Sequence, residues 1–167
     1  MKDVFHPKER LNPNNIKISN KTFPIDKLYT SKYYISISNI HGMGMFSTCF
    51  IPAGTFIAEY VGIIVCKAYS DILEKRYKKN NIASTYFFKI KEDMIVDATM
   101  YGNHARYINH SCTPNATACL DKERILIFSE RDIYEDEEIT IKYNLTEAYK
   151  NKGDVCNCQS EDCKKYY

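Results

Sequence analysis

Residues 106–115 read Arg-Tyr-Ile-Asn-His-Ser-Cys-Thr-Pro-Asn, a stretch that combines hydrogen-bonding side chains, a potential metal thiolate and a proline turn. Only Tyr107 and Ile108 are apolar here, whereas a core strand would show alternating or continuous Val, Ile and Leu. The polar run 109–111 favours backbone turns instead. The stretch therefore predicts a loop that belongs to a functional site.

The composition of the whole chain is that of an ordinary globular protein. With 167 residues, 44% hydrophobic and 26% charged, we expect one domain with a buried core. No apolar run approaches membrane length, and residues 1–7 lack the apolar stretch of a secretory signal, so we expect a soluble intracellular protein with no membrane contact. A net charge of +2 does not indicate direct DNA binding.

The seven cysteines fit a disulfide framework poorly, because the number is odd and Cys156 and Cys158 are too close in sequence to pair with each other. In a reducing compartment, clustered cysteines are more often metal ligands. The C-x-C-x4-C run of 156–163 supplies three thiolates, and a closed tetrahedral zinc site needs a fourth ligand. Free cysteines remain the alternative. Three isolated cysteines are expected to be small buried hydrophobic residues without a function, namely Cys49, Cys66 and Cys119.

Periodicity predicts short strands and one helix. The strands are expected at 33–38, within 55–65, and at 85–90, 94–96 and 125–129, after an irregular leader at 1–32. The helix is expected at 70–79, with Ser70 or Asp71 as its N-cap and Ile72, Leu73 and Tyr77 on its buried face. Its basic cluster at 75–79 is interpreted as a solvated face in preference to a nuclear import signal.

Two further segments have a simple interpretation from their local sequence pattern. The Gly42-Met43-Gly44 segment is on its own a tight hairpin turn, although glycine also lets a backbone approach a ligand closely. The acidic run at 135–138 is on its own a solvated loop.

The string at 106–115 resembles the asparagine-histidine signature of the SET-domain protein lysine methyltransferases. The preceding string at 96–106 looks like the trithorax-type branch, whose members methylate lysine 4 of histone H3. The resemblance covers about 33–163 and implies an α+β, mainly β SET fold, in which several short curled sheets surround a knot-like core. It implies a SET domain at 33–145 with a helical insert at about 67–84, followed by a zinc-binding post-SET tail at 146–167.

The resemblance also assigns the site residues. Contacts to S-adenosylmethionine are implied for His41, Gly42, Met43, Gly44, Tyr86, Arg106, Asn109, His110 and Asn157. One structural zinc ion is implied at Cys112, Cys156, Cys158 and Cys163. Tyr143 is implied as the catalytic tyrosine, and Tyr86, which by pattern alone is a core aromatic, is implied as a second wall of the lysine channel. Ile141 occupies a position that is generally Phe or Tyr in the family, and we expect it to share a strand and a face with Tyr143.

The implied function is a histone-lysine N-methyltransferase of the nucleus that acts on the histone H3 tail or the nucleosome, with WD-repeat adaptor proteins as further partners. Alternatives are an inactive SET-like peptide-binding module and a methyltransferase for another lysine. Two departures from the family pattern bear on this choice: Lys142 replaces a usual acidic residue, and Met43 replaces a frequent arginine.

Overall fold

A computed structural model describes residues 32–143 and 155–166, and the structural statements below concern those residues. They form ten strands, one α-helix and one 3-10 helix. The strands are β1 (Tyr33–Ile37), β2 (Met43–Ser47), β3 (Phe56–Tyr60), β4 (Ile63–Val65), β5 (Phe87–Lys91), β6 (Met94–Asp97), β7 (Asn109–His110), β8 (Ala116–Asp121), β9 (Arg124–Ser129) and β10 (Glu138–Ile141). The helices are α1 (Lys67–Lys79) and the 3-10 helix His104–Tyr107. Apart from Lys32, the predicted leader lies outside the described residues, as does the predicted tail segment 146–154.

The strands of this region assemble into three small sheets with the orders β1-β2-β10-β7, β3-β9-β8 and β4-β6-β5. In the first sheet β2 runs antiparallel to β1 and to β10, while β7 runs parallel to β10. The prediction of a mainly β fold with several short sheets and a helical insert is therefore confirmed. No helix in the described part of the chain is long and apolar enough to cross a membrane.

The described residues divide into two compact units. The insert unit comprises Tyr60–Arg106 and Lys122–Arg124 and contains α1 and the sheet β4-β6-β5. The anchor unit comprises 32–59, Tyr107–Asp121, 125–143 and 155–166, and it contains the sheet β1-β2-β10-β7. Its core is rich in isoleucine, with Met45, Ile51, Ile57, Ile108, Ile125, Ile127, Ile133, Ile139 and Ile141 all buried.

Helix α1 begins earlier than predicted. Its N-cap is Cys66, and neither Ser70 nor Asp71 caps it. Ser70 is buried, and its hydroxyl donates a hydrogen bond to the main-chain oxygen of Lys67 at 2.8 Å, so it lies inside the first turns. The capping prediction was wrong because a serine near a helix start can bond back along the helix as well as forward.

The buried face of α1 contains Leu73 and Tyr77 but not Ile72, which is 45% exposed. Leu73 and Tyr77 are four residues apart and share one side of the helix, whereas Ile72 is rotated away from that side. The Tyr77 hydroxyl donates to the Asp97 carboxylate at 2.7 Å, and burial together with this bond raises the pKa of Tyr77. The helix is thus fixed to β6 by both packing and a buried hydrogen bond.

A buried asparagine, Asn115, joins the end of the predicted site loop to β10. Its side-chain amide donates to Glu137 Oε1 at 2.9 Å and to the main-chain oxygen of Glu138 at 2.8 Å. Its side-chain oxygen accepts the main-chain N–H of Thr140 at 2.8 Å. Asn115 is 2% exposed and Thr140 is 6% exposed, so the buried N–H of Thr140 depends on the Asn115 oxygen as its hydrogen-bond acceptor.

Asn115→Ala is therefore expected to lower the free energy of unfolding by roughly 2–4 kcal/mol, because buried main-chain groups on β10 would lose their partners at about 1–3 kcal/mol each. Chemical denaturation followed by circular dichroism measures this loss. Thr113→Ala, in the same loop but at an exposed side chain, is the matched control. Equal losses in the two variants would contradict the assigned role of Asn115.

Candidate active site and metal centre

The parallel pair of β7 and β10 holds the centre of the candidate site in the anchor unit. Thr140 lies opposite Asn109 and Ile141 lies opposite His110. The main-chain N–H of Ser111 donates to the oxygen of Ile141 at 3.1 Å, which extends the pairing by one residue. Part of the stretch predicted as a loop is therefore a short strand, fixed against the strand that leads to Tyr143.

The Asn109 side chain connects β7 to the predicted glycine segment. Its amide donates to the main-chain oxygens of His41 and Met43, both at 3.1 Å, and to Glu138 Oε1 at 2.8 Å. Two stretches that are far apart in sequence are thus in direct contact, as the site assignment requires. The side chains of His41 and Met43 are exposed. The Asn109 amide therefore binds the main chain of the segment on its buried side, and the opposite side is open to a ligand.

The predicted hairpin turn is present at residues 38–42, and only Gly42 of the glycine segment belongs to it. This turn connects β1 to β2, and the Ser38 N–H donates to the Gly42 oxygen at 2.9 Å, while Met43 and Gly44 are already part of β2. Gly42 has a φ of 51°, a left-handed conformation that favours glycine. The hairpin and ligand-segment interpretations are therefore compatible, and the ligand contact itself stays a prediction.

Glu138 is a site residue that the sequence interpretation missed. Its carboxylate accepts hydrogen bonds from the Ser38 hydroxyl and from the Asn109 side-chain amide, both at 2.8 Å. It also occupies the space beside Gly44, where an added Cβ would lie 2.4 Å from Glu138 Oε1. A side chain at position 44 would therefore have to displace this carboxylate. The available signal was that Glu138 begins the apolar strand Glu-Ile-Thr-Ile, where a solvated acid would be unusual.

Glu137 faces a different set of partners from its neighbour. It pairs with the Arg131 guanidinium, accepts the Asn115 amide, and accepts the Tyr134 N–H at 3.0 Å. Burial alone would raise the pKa of this carboxyl, but the hydrogen bonds from Arg131 and Asn115 outweigh it and lower the pKa. The prediction of a solvated acidic loop is therefore wrong for Glu137 and Glu138, because each carboxylate accepts hydrogen bonds from other parts of the folded chain.

The His110 ring is buried between Tyr143 and Cys112. Its Nδ1 accepts the Tyr143 main-chain N–H at 2.9 Å, and its Nε2 lies 3.5 Å from Cys112 Sγ. Burial lowers the pKa of His110, and the positive charge of Lys142 lowers it further. The sequence assigned His110 to the cofactor and gave its side chain no role.

Tyr143 lies two residues beyond the end of β10. Its hydroxyl donates to the Ile108 main-chain oxygen at 2.7 Å, and its ring centroid is 5.4 Å from that of His110. Tyr143 is 37% exposed, whereas Ile141 is 2% exposed. The expectation that Tyr143 shares a strand with Ile141 was wrong, because β10 ends at Ile141, and the expected common face stays a prediction.

Four cysteines converge in the anchor unit, and they are the four that the resemblance implied. The sulfurs of Cys112, Cys156, Cys158 and Cys163 all lie within 4.8 Å of one another. Tetrahedral coordination with metal–sulfur bonds of about 2.3 Å places sulfurs about 3.8 Å apart. The sulfurs of Cys112 and Cys156 are 3.9 Å apart, which fits that geometry and is far too long for a disulfide. The cluster could hold a metal ion.

The thiols of the cluster have different environments. Burial raises the pKa of Cys156 to about 12, so a metal ion would be needed to hold it as a thiolate at neutral pH. Burial also acts to raise the pKa of Cys158, but hydrogen bonds from Ser160 and the Cys112 N–H outweigh it and lower the pKa to about 5.

The remaining cysteines are not buried as predicted. Cys49 and Cys119 are exposed and Cys66 is partly exposed. Cys49 follows β2 in a bend, and Cys119 lies on β8, whose later residues are mostly exposed. Average burial of cysteine is a weak guide where the strand itself lies at the surface.

Two predicted site residues belong to the insert unit and contact each other. The Arg106 guanidinium carbon lies 5.6 Å from the centre of the Tyr86 ring, a cation–π arrangement. Arg106 also donates to the main-chain oxygens of Ala98 and Thr99, each at 3.3 Å. Tyr86 precedes β5 and does not lie within it, so the predicted strand began two residues too early. Asn157, between two cluster cysteines, is exposed.

Comparison with known proteins places this geometry in context. The sequence signature of the SET domain family matches residues 42–144, more than half of the chain. A protein of Emericella nidulans named histone-lysine N-methyltransferase, H3 lysine-4 specific, is 42% identical over 134 residues, which is 77% of this chain and 11% of that protein. The histone-lysine N-methyltransferase trithorax of Drosophila virilis is 38% identical over 143 residues, 82% of this chain and 4% of that protein. The putative histone-lysine N-methyltransferase 1 of Plasmodium falciparum is 34% identical over 176 residues, 96% of this chain and 3% of that protein. The chain thus spans about a tenth or less of the length of these relatives.

Gly44→Ala is expected to destabilise the protein because the new Cβ would displace the Glu138 carboxylate from its donors. In the Gly44→Ala/Glu138→Ala double variant the clash is gone, so the combined loss is expected to fall short of the sum by about 1–3 kcal/mol. Denaturation of the four proteins measures this coupling. The matched cycle with Gly42→Ala is expected to be additive, because a Cβ at Gly42 meets nothing within 4 Å. Additivity in both cycles would contradict the steric argument.

Proposed function

The chain belongs to the SET domain family, and on that premise we propose that it is a histone-lysine N-methyltransferase that uses S-adenosylmethionine and acts on lysine 4 of histone H3. The observation that carries the proposal is the Asn109 side chain, which joins β7 to His41 and Met43 and so brings these two implied cofactor segments into contact. The names of the relatives from Emericella nidulans and Drosophila virilis support the reaction, and the former supports the target lysine.

The residues present fit the proposed cofactor. The segment 41–43 is exposed on its outer side while its main chain is fixed by Asn109, as a backbone cradle for a ligand requires. Asn109 and His110 would add contacts from β7. The contacts implied for Gly44, Tyr86, Arg106 and Asn157 remain predictions. When bound, S-adenosylmethionine supplies an electrophilic methyl group on a positively charged sulfur.

Lysine can accept a methyl group only as the neutral amine, yet its side chain has a pKa of about 10.4 in water. An aromatic channel lowers that pKa by desolvating the charge. Tyr143 would form one wall, and the wall implied for Tyr86 stays a prediction. Because the Tyr143 hydroxyl proton is directed to Ile108 O, the phenol oxygen keeps lone pairs that can accept a hydrogen bond from the amine and orient it.

The proposal has a direct test of reaction and target. The whole protein is incubated with labelled S-adenosylmethionine and intact nucleosomes, and the labelled residue is located by peptide mapping. Nucleosomes in which arginine replaces lysine 4 of histone H3 are the matched control. Label at another lysine would overturn the target, and no label on any histone would overturn the reaction.

We further propose that Ile141 leaves room for repeated transfer, because it lacks a hydroxyl and is smaller than the aromatic side chain usual at this position. Di- or trimethylated product is expected from the same reaction, with Ile141→Tyr shifting it toward monomethylation. Mass spectrometry of the product distinguishes these outcomes.

Nuclear location belongs to the same proposal and is supported by the histone substrates named in the relatives. WD-repeat adaptor proteins are proposed from the family resemblance alone. The second candidate function is peptide binding without turnover. It is favoured by Lys142, an exposed cation adjacent to Tyr143 that would oppose an incoming lysine. Peptide binding without label transfer, even with adaptors present, would support that second function.

We propose that the cysteine cluster holds one zinc ion. Elemental analysis is expected to find one zinc per chain, and Cys158→Ser is expected to lower thermal stability and weaken cofactor binding, because metal binding contributes local folding energy. Cys119→Ser is the matched control, since that exposed thiol lies outside the cluster. Native protein without zinc would contradict the assignment.

Tyr143→Phe is expected to lower the turnover number at least about 100-fold while leaving S-adenosylmethionine affinity nearly unchanged, because the hydroxyl acts on the amine and the transition state. Turnover comes from the nucleosome assay and affinity from calorimetry. Tyr134→Phe, at an exposed tyrosine, controls for loss of a phenol elsewhere. A Tyr143→Phe enzyme with near wild-type turnover would remove Tyr143 from the mechanism.

A further inference from the structure

We propose that the His110 side chain is a positioning residue that connects the metal cluster to Tyr143. The inference rests on the proposed function for the importance of Tyr143, but its structural part is testable without activity. It assigns to one imidazole two simultaneous hydrogen bonds with different consequences.

The first bond fixes the tautomer of the ring. The main-chain N–H of Tyr143 can only donate, and it points at His110 Nδ1 at 2.9 Å. Nδ1 must therefore carry a lone pair and no proton. A neutral imidazole then carries its single proton on Nε2.

The second bond follows from the first. His110 Nε2 lies 3.5 Å from Cys112 Sγ, a normal separation for an N–H donor and a sulfur acceptor. Cys112 is one of the four cluster sulfurs, so the proton on Nε2 is directed at a sulfur that would bind the proposed zinc ion. A donor to a ligating sulfur orients the ligand and stabilises its negative charge.

The position of Tyr143 explains why such a connection has an effect. Strand β10 ends at Ile141, so the sheet ladder does not determine the conformation of Tyr143. Its main-chain N–H is fixed by His110 and its hydroxyl by Ile108 O. Both acceptors belong to 108–110, immediately before the cysteine ligand. A shift of Cys112 is therefore transmitted to the main chain of Tyr143 through a single ring.

Two substitutions separate the two bonds. In His110→Asn the side-chain oxygen can take the place of Nδ1 and accept the Tyr143 N–H, but the side chain is too short to reach Cys112. In His110→Gln the amide nitrogen can reach the place of Nε2 and donate to Cys112, while the acceptor near Tyr143 is lost. Both variants are expected to be impaired relative to the wild type. The proposal predicts which of the two is more impaired in each measurement.

Three measurements are made on the whole protein: zinc release to a chelator, hydrogen exchange of the Tyr143 amide by NMR, and turnover on nucleosomes. Zinc release is expected to be about tenfold faster in His110→Asn than in His110→Gln, since loss of a ligand-orienting partner typically costs 10–100-fold in metal affinity. Amide exchange at Tyr143 is expected to be faster, and turnover lower, in His110→Gln. Equal effects of both variants on all three quantities would show a merely structural histidine and overturn the proposal.

The wild type provides a test that does not depend on the folding of either variant. Removing zinc with a chelator is expected to accelerate exchange of the Tyr143 amide, because the ring loses its ordered sulfur partner. Unchanged exchange after complete zinc removal would overturn the connection. If the wild type shows this response but no turnover on any histone, the connection stands and the proposed function fails.

Discussion

The two-residue strand β7 holds its place because β10 pairs with it in parallel, and much of the anchor unit depends on that contact. Two ladder positions are too few to be stable by themselves, so other bonds must reinforce them. Asn115 binds β10 from one end of the site loop, and Asn109 reaches from β7 to the hairpin before β2. The pairing is therefore the centre of a polar network in which each buried group has a partner.

A buried polar network of this kind favours one arrangement over all others. Ordinary apolar packing tolerates small shifts, but a buried carboxylate or amide that loses its partner becomes unfavourable at once. Glu138 illustrates this constraint, since its carboxylate accepts hydrogen bonds from Ser38 and Asn109 in the space that a Cβ at position 44 would enter. The Asn109 amide holds the main chain of the glycine segment on its buried side, while residues 41–43 are exposed on the other. A backbone edge that is held and open is what a ligand cradle needs.

The cysteine cluster adds a second constraint of a different physical kind. It joins Cys112 to residues 44 or more positions later in the chain, a contact that costs considerable loop entropy to form. Coordination to a metal ion would offset that entropy, and the resulting stability would be lost with the metal. His110 lies between the cluster and Tyr143, so the assembly of the cluster and the placement of Tyr143 share one side chain.

The sequence by itself determined the family resemblance, the mainly β fold, the insert helix and the four-cysteine set, because each is encoded by residues close together or by a motif in fixed order. Tertiary structure alone decided the roles of Glu138, Glu137 and the His110 side chain, whose partners lie between 2 and 100 positions away. It also decided that Tyr143 lies past the end of β10, that α1 starts at Lys67, and that Cys49 and Cys119 are exposed. Local sequence patterns predict the period of a strand or helix. They do not predict which hydrogen-bond donor a carboxylate will contact, or at which residue the pairing between two strands ends. Those outcomes depend on contacts that exist only after the chain has folded.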